Sequence, residues 1–198
     1  MYDIKRYLRK LKHLLEVVFC TNRIPSPYYL KHTLLLDFFP GEASIIETGT
    51  YLGETTALLA SHCKRVLTLE PYHSLHKYNS QRFRKSHNVT VINASSEEGF
   101  EKALSSLSGP VGFWLDGHFS GEGTFGELST ASPVEVELRL IGDYLERDLG
   151  PAYIAIDDAR LFTGTNGYPS ETLVKNFAQK FDLNFFKFRD IYFLSPRN

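Results

Sequence analysis

The feature of this sequence that most constrains its fold is an alternation of strand-like and helix-like segments after residue 40. Short apolar runs rich in branched residues alternate with segments that have helical periodicity. The expected strands are 44–47, 65–70, 89–92, 111–116 and 152–157, and the expected helices are about 54–62, 73–86, 96–107, 133–147 and 170–181. Strands that are joined through helices run parallel, with helices on both faces of the sheet. The pattern therefore predicts an α/β fold with a doubly wound, mostly parallel sheet.

The C-terminal segment breaks this alternation. LNFFKF (183–188) and IYFLS (191–195) are separated only by Arg189 and Asp190. A two-residue connection joins antiparallel strands, so we expect a seven-stranded sheet with an antiparallel C-terminal hairpin strand. One helix, 133–147, also has a clear start signal, because Ser132 can act as its cap and Pro133 suits the first helical position.

The first 39 residues have a different pattern. Residues 2–19 have helical apolar spacing with a basic opposite face, and 28–39 predicts a second helix that ends before Pro40 and Gly41. A basic amphipathic helix can pack on its own domain or lie on a membrane surface, and packing is the more common outcome. We expect an N-terminal helical extension, 1–39, and a separate domain, 40–198. The helix pair could also serve as a surface for a homo-oligomer.

Composition excludes several classes of protein. The net charge is -1 and the pI is about 6.7, so no broad basic face for nucleic acid is expected. No apolar run approaches the ~18–20 residues of a membrane span, and the N-terminus does not resemble a secretory signal. Cys20 and Cys63 form neither a disulfide framework nor a zinc spacing. Two free thiols fit a reducing compartment, and we expect a cytoplasmic protein.

Acidic residues stand at the ends of four of the five expected parallel strands. They are Glu47, Glu70, Asp116 and the pair Asp157-Asp158. In an open parallel sheet, ligands bind at the carboxyl ends of the strands. Each acid alone could cap a helix, but all of them at one edge of the sheet favour a binding site.

The turn after the first strand, ETGTYLG, indicates what that site binds. It lacks the close glycine pair that brings a pyrophosphate onto a helix N-terminus. An acid at Glu47 favours an amine- or sulfonium-bearing nucleoside over a phosphate. The glycines, Gly49 and Gly53, predict that something approaches the backbone closely. Glu70 stands at the next strand end, where an acid can accept hydrogen bonds from ribose hydroxyls.

Taken in order, these motifs resemble the class I S-adenosylmethionine-dependent methyltransferases over residues 40–195. ETGTYLG is similar to their first motif, TLEP to their ribose acid and NASSE to their adenine-contacting segment. The resemblance implies a Rossmann-like fold, S-adenosylmethionine as cofactor, and donor contacts to its methionine, ribose and adenine parts. The implied donor-binding residues are Glu47, Gly49, Thr50, Tyr51, Gly53, Thr55, Glu70, Ser95, Ser96 and Asp116.

A narrower resemblance joins LDGH (115–118) and IDD (156–158) to the metal-dependent O-methyltransferases, of the catechol type and the macrocin type acting on sugars. It implies that Asp116, Asp157 and Asp158 hold Mg²⁺, which would acidify a bound hydroxyl. His118 is placed to take the proton, and with Asp116 it forms the expected catalytic pair. The lysine that the catechol enzymes carry three residues after the first acid is absent, because Phe119 stands there.

The sequence thus predicts Mg²⁺-dependent methylation of a hydroxyl on a small molecule such as a sugar or natural product. Segments 117–131 and 162–170 are expected to act as a lid and to flank the acceptor. Three alternatives stay open: a metal-free methyltransferase whose aspartates orient the acceptor, a NAD-type oxidoreductase, and a non-catalytic nucleoside-binding protein.

Overall fold

The computed structural model of the protein describes residues 2–5, 24–117 and 132–197. Most of the expected basic helix, the segment 118–131 of the expected lid and His118 therefore lie outside the described residues. The elements in chain order are α1 (Tyr28–Phe38), β1 (Ser44–Thr48), α2 (Glu54–His62), β2 (Arg65–Leu69), α3 (His73–Arg82), β3 (Val89–Ile92), α4 (Ser96–Ser105), β4 (Val111–Leu115), α5 (Val134–Glu146), β5 (Ala152–Ile156), a 3₁₀ turn (Ala159–Leu161), α6 (Glu171–Lys180), β6 (Leu183–Phe188) and β7 (Ile191–Pro196).

The strands form one seven-stranded sheet in the order β3-β2-β1-β4-β5-β7-β6. Strands β1 to β5 pair in parallel, whereas β7 runs antiparallel to both of its neighbours. The predicted α/β fold with a C-terminal antiparallel hairpin is confirmed. The strand order reverses between β1 and β4, and a reversal of this kind opens a crevice at the carboxyl edge of the sheet.

The turn between β6 and β7 is as tight as its sequence predicts. Arg189 and Asp190 have φ angles of 51° and 67°. Positive φ at both central residues is the geometry whose twist matches that of paired antiparallel strands. The turn places Asp190 beside the loop that follows β5, since the backbone N–H of Ala159 donates to the Asp190 carbonyl at 2.9 Å.

Each face of the sheet carries its own hydrophobic core. Alternate residues of a strand point to opposite faces, so Ile46 packs with the residues of α4, α5 and α6 while Ile45 packs with α1 and α2. Trp114 is 2% exposed and belongs to the second cluster. Leu35 and Phe39 bury themselves in the same cluster, so α1 is packed into the sheet that follows it.

Helix ends differ slightly from the sequence prediction. Helix α5 begins at Val134 with Pro133 as its N-cap and without a capping side chain, so the expected cap at Ser132 is wrong. Helices α3 and α4 end at Arg82 and Ser105, a few residues early. In the ranges that the structure describes, no helix has the length and apolar character needed to cross a membrane.

Candidate active site

The glycine turn after β1 lies directly against other parts of the chain. Gly49 has φ +84°, and a Cβ there would stand 2.4 Å from the Asp116 carbonyl oxygen. Gly53 has φ +70°, and a Cβ there would stand 2.5 Å from Asn79 Oδ1 and 2.7 Å from Arg82 Nη1. Glycine is required at both positions, but the groups that approach belong to the protein. Close approach at these glycines is therefore explained by the protein's own groups, and their contact with a ligand stays a prediction.

Three side chains hold this turn in place. Glu70 Oε2 accepts a hydrogen bond from the Tyr51 backbone N–H at 2.8 Å, and Asn79 Nδ2 donates to the Tyr51 carbonyl at 2.6 Å. Arg82 Nη1 donates to the Leu52 carbonyl. Tyr51 itself has φ 48°, a conformation that costs free energy in a non-glycine residue unless neighbouring groups fix it. The turn is thus preorganised by helix α3 and by the acid after β2.

Glu70 has capacity for a ligand in addition to its backbone partners. Its Oε1 accepts from the Tyr72 N–H at 3.0 Å, so each carboxylate oxygen already holds one backbone donor. A carboxylate offers about four acceptor positions, so two lone-pair positions of Glu70 remain beyond these backbone bonds. Burial raises the pKa of Glu70, and the N–H groups of Tyr72 and Tyr51 oppose that shift. Asn93, after β3, donates to the Glu70 carbonyl at 2.8 Å and ties the two strand ends together.

Glu47 lies beneath the turn and has no exposed surface. Its Oε2 accepts from the Thr56 hydroxyl at 2.5 Å, and its Oε1 has no hydrogen-bond partner in the part of the chain that the structure describes. Burial raises the pKa of Glu47 to about 8, against the opposing effect of the Thr56 and Thr68 hydroxyls. The Glu47 carboxyl is mostly protonated at neutral pH. Glu47 therefore does not supply the negative charge that would favour a cationic ligand.

The hydroxyls expected near the donor have partners within the protein. Ser95 caps α4 through a reciprocal capping box with Glu98, and the buried Ser96 Oγ donates to Glu137 Oε1 at 2.6 Å. Thr50 Oγ1 lies 2.6 Å from Thr68 Oγ1. Thr55 is half-buried in the first turn of α2. The donor-contacting roles of these residues stay predictions.

The acids after β5 converge because the backbone turns sharply between them. Asp158 has φ 55°, whereas consecutive residues of a continuing strand would point in opposite directions. Asp157 Oδ1 accepts from the Asp158 N–H at 2.8 Å. Lys31 of α1 joins this pair, with its Nζ 2.5 Å from Asp157 Oδ1 and 3.5 Å from Asp158 Oδ1. A buried ammonium thus occupies the position that two neighbouring carboxylates would offer to a metal ion.

Asp116 belongs to the same cluster. Its backbone N–H donates to the Thr48 carbonyl at 3.2 Å, which places it between the glycine turn and the β5 acids. Burial disfavours the charged form of Lys31, but the charges of Asp157, Asp158 and Asp116 outweigh burial and raise the pKa of Lys31. Lys31 is therefore an ammonium at neutral pH, paired with Asp157 and Asp158 and further stabilised by the charge of Asp116.

A second cation braces the cluster from the C-terminal side. Arg160 Nη1 donates to Asp158 Oδ1 at 2.6 Å and also to Asp190 Oδ2. The Arg160 backbone N–H donates to Asp190 Oδ1 at 2.7 Å. The hairpin turn, through Asp190, thereby fixes the loop that carries Asp158.

The expected magnesium site does not fit this arrangement. Mg²⁺ takes oxygen ligands at about 2.0–2.1 Å in near-octahedral geometry, and an ammonium bound to the same oxygens occupies that space. Within residues 2–5, 24–117 and 132–197, no group of three or more His, Cys, Asp or Glu side chains is arranged to hold a metal ion. Asp157 and Asp158 share the cation Lys31, and the grouping of Asp116 with them as metal ligands stays a prediction.

Sequence reasoning missed Lys31, Arg160 and Tyr168. Lys31 carried a signal, because it lies one helical turn before the buried Leu35 and so on the inward stripe of α1. Tyr168 lies in the segment that was expected to flank the acceptor. Burial, together with the charge of Asp158, raises its pKa to about 12, so its hydroxyl stays protonated beside the acids.

Comparison with known proteins yields structural matches only. No protein-family model matches the sequence, and no curated protein matches it. An rRNA methylase from Streptococcus thermophilus matches with a TM-score of 0.52 and 16% identity, covering 89% of this chain and 99% of that one. SMU.1697c from Streptococcus mutans, whose structure contains SAH, matches with a TM-score of 0.57 and 15% identity, covering 87% of this chain and 99% of that one. The N-methyltransferase NodS from Bradyrhizobium japonicum matches with a TM-score of 0.55 and 15% identity, covering 85% of this chain and 96% of that one. At these identities the likeness establishes a shared fold.

Proposed function

We propose that this protein transfers the methyl group of S-adenosylmethionine to a hydroxyl of a small polar molecule. The observation that carries the proposal is Glu70, which fixes the glycine turn through the Tyr51 N–H and keeps acceptor capacity for two hydroxyls. The fold supports it, because one matched structure on this fold contains SAH, the demethylated form of the donor.

The donor spans three strand ends in this proposal. Its ribose hydroxyls donate to Glu70, its methionine part lies along Gly49 and Tyr51, and its adenine lies towards Ser95 and Ser96. The sulfonium methyl then faces Asp116, whose backbone lies against the glycine turn. Such a placement brings donor and acceptor together at the crevice where the strand order reverses.

Methyl transfer needs few groups other than those that position the reactants. A lone pair of the acceptor oxygen attacks the methyl carbon, and the carbon–sulfur bond breaks with its electron pair moving to sulfur. The hydroxyl proton passes to a base, for which the Asp116 carboxylate and His118 are the candidates. Holding the two reactants in line accounts for much of such a rate enhancement.

A magnesium-assisted reaction is the less favoured route. The ion would have to displace Lys31 from Asp157 and Asp158, whereas metal-free methylation uses the acids as they stand. The matched structures also include an rRNA methylase and an N-methyltransferase. RNA is the weaker acceptor class here, because the net charge of -1 provides no excess of phosphate-neutralising residues.

The proposal is tested by incubating the protein with methyl-labelled S-adenosylmethionine and separate pools of sugars, phenols, amines and rRNA. We expect labelled product in the pool of sugars or of phenols, also when EDTA is present to remove divalent metal ions. Asp116→Asn should lower the rate by a factor of about 10²–10⁴, the usual contribution of a general base. Asp182→Asn is the matched control, because Asp182 lies just before β6 and its side chain is 78% exposed. Label confined to the amine or rRNA pool would contradict the proposed acceptor class.

A further inference from the structure

Helix α1 is oriented so that its first turn reaches the acidic cluster. Phe39, just after the helix, lies against Gly112 near the start of β4, where a Cβ on the glycine would stand 2.7 Å from Phe39 Cδ1. Lys31 instead contacts Asp157 at the end of β5. Phe39 follows Lys31 by eight positions, which corresponds to about 12 Å along a helix, close to the length of a short strand. The helix therefore runs antiparallel to the strands and delivers Lys31 to their carboxyl edge.

The charges of the cluster depend on one another. The side chains of Lys31 and Asp157 are only 11% and 7% exposed. A buried charge is costly unless it is paired, and two adjacent carboxylates repel each other without a cation between them. Lys31 satisfies both requirements at once, because its Nζ contacts an oxygen of Asp157 and an oxygen of Asp158.

The carboxylates have supports other than Lys31. Asp157 Oδ1 also accepts the Asp158 N–H, and Asp158 Oδ1 also accepts a hydrogen bond from Arg160, which Asp190 holds in turn. These contacts hold both acids without involving α1. The two carboxylates should consequently keep their positions when the ammonium is removed, leaving an oxygen-lined space for a cation.

We propose that Lys31 is a tethered cation that takes the place of a divalent metal ion in this site. The N-terminal helix then contributes a positioning residue to the acidic cluster, and Lys31 excludes Mg²⁺ and Mn²⁺ from Asp157 and Asp158. This inference goes beyond methyl transfer and concerns only the charge balance of the cluster. It therefore stands or falls independently of the donor and the acceptor.

The test is a titration of Mn²⁺ into the full chain, followed by the electron paramagnetic resonance signal of the free ion. The variants are Lys31→Met, which keeps the length of the side chain without its charge, and Lys31→Met/Asp157→Asn. We expect Lys31→Met to bind one Mn²⁺ at least about tenfold more tightly than wild type, because an ammonium within about 4 Å strongly repels the ion. The double variant should lose this gain, and Lys31→Arg should behave as wild type does.

Two results would overturn the inference. In the first, wild type binds Mn²⁺ as tightly as Lys31→Met does, and the single variant Asp157→Asn does not bind the ion. Mn²⁺ would then displace the lysine from the acids. In the second, a folded Lys31→Met binds no Mn²⁺, so the cluster is not a cation site. Lys31→Met is compared with Lys31→Met/Asp157→Asn if the single variant does not fold. Folding of the double variant would then support the charge pairing between Lys31 and Asp157. Failure of the double variant to fold would overturn the inference.

Discussion

At the scale of single residues, two glutamates at neighbouring strand ends have different environments. Glu47 is 0% exposed, and its pKa is raised to about 8, mainly by burial. Glu70 is 4% exposed but accepts two backbone N–H groups. The first acid therefore serves the packing between β1 and α2 as a mostly neutral group. The second is the better candidate for binding hydroxyls.

The raised pKa of Glu47 predicts a specific dependence of stability on pH. Because the folded-state pKa lies above the unfolded value, the native protein holds a proton that the unfolded chain has released between about pH 5 and pH 8. The free energy of unfolding should fall across this window by up to about 1.4 kcal/mol per pH unit from this group alone. Glu47→Gln should remove this component, and urea unfolding of both proteins at several pH values measures it. Parallel pH profiles for the two proteins would rule the assignment out.

At the scale of structural elements, the glycine turn is positioned by α3. Asn79 and Arg82 bond its carbonyls, and both lie within 3 Å of the place where a Gly53 side chain would begin. Arg82 also pairs with Glu54 of α2 at 3.3 Å. The turn, the start of α2 and the face of α3 therefore form one packed unit, which a change at Gly53 would disturb.

Comparing Gly53→Ala with Gly109→Ala separates the cost of backbone strain from the cost of overpacking. Gly109 is the matched control, because its φ is also positive, at +84°, and a Cβ there meets nothing within 4 Å. Gly109→Ala should cost about 1–2 kcal/mol of stability from backbone strain. Gly53→Ala should cost about 1–3 kcal/mol more, from overpacking against α3. Denaturant unfolding measures both, and equal losses would show that α3 does not constrain the turn.

The elements could be predicted from sequence because each has a local signal. The strands are short apolar runs, the hairpin has a two-residue turn, and the observed β bounds agree with expectation to within one residue. The position of Lys31 could not be predicted in the same way. Its contact with Asp157 joins residues 126 positions apart, and the left-handed conformation of Asp158 that aligns the acids has no sequence marker. The resemblance to metal-dependent enzymes therefore suggested an ion where the fold supplies an ammonium.

At the scale of the whole molecule, one ionic chain joins three distant parts of the sequence. Lys31 of α1, the acids after β5, Arg160 and Asp190 of the C-terminal hairpin are linked in series. The acids at the strand ends thus have two structural roles: Glu70 holds the glycine turn, whereas Asp157 and Asp158 join α1 to the C-terminal hairpin through Lys31 and Arg160. The expected division at residue 39 stays a prediction, although Lys31 and Leu35 pack into the domain that follows.

The central claim is that the edge of the sheet at Glu70 binds S-adenosylmethionine. Isothermal titration calorimetry of the wild-type chain with S-adenosylmethionine, and in parallel with NAD, tests it most directly. We expect saturable binding of S-adenosylmethionine at one site, no binding of NAD, and affinity weaker by about 1–3 kcal/mol in Glu70→Ala because a charged hydrogen-bond acceptor is lost. Glu146→Ala, at a side chain that is 56% exposed, should bind as wild type does. Absence of S-adenosylmethionine binding, or equal affinity in wild type and Glu70→Ala, would contradict the account.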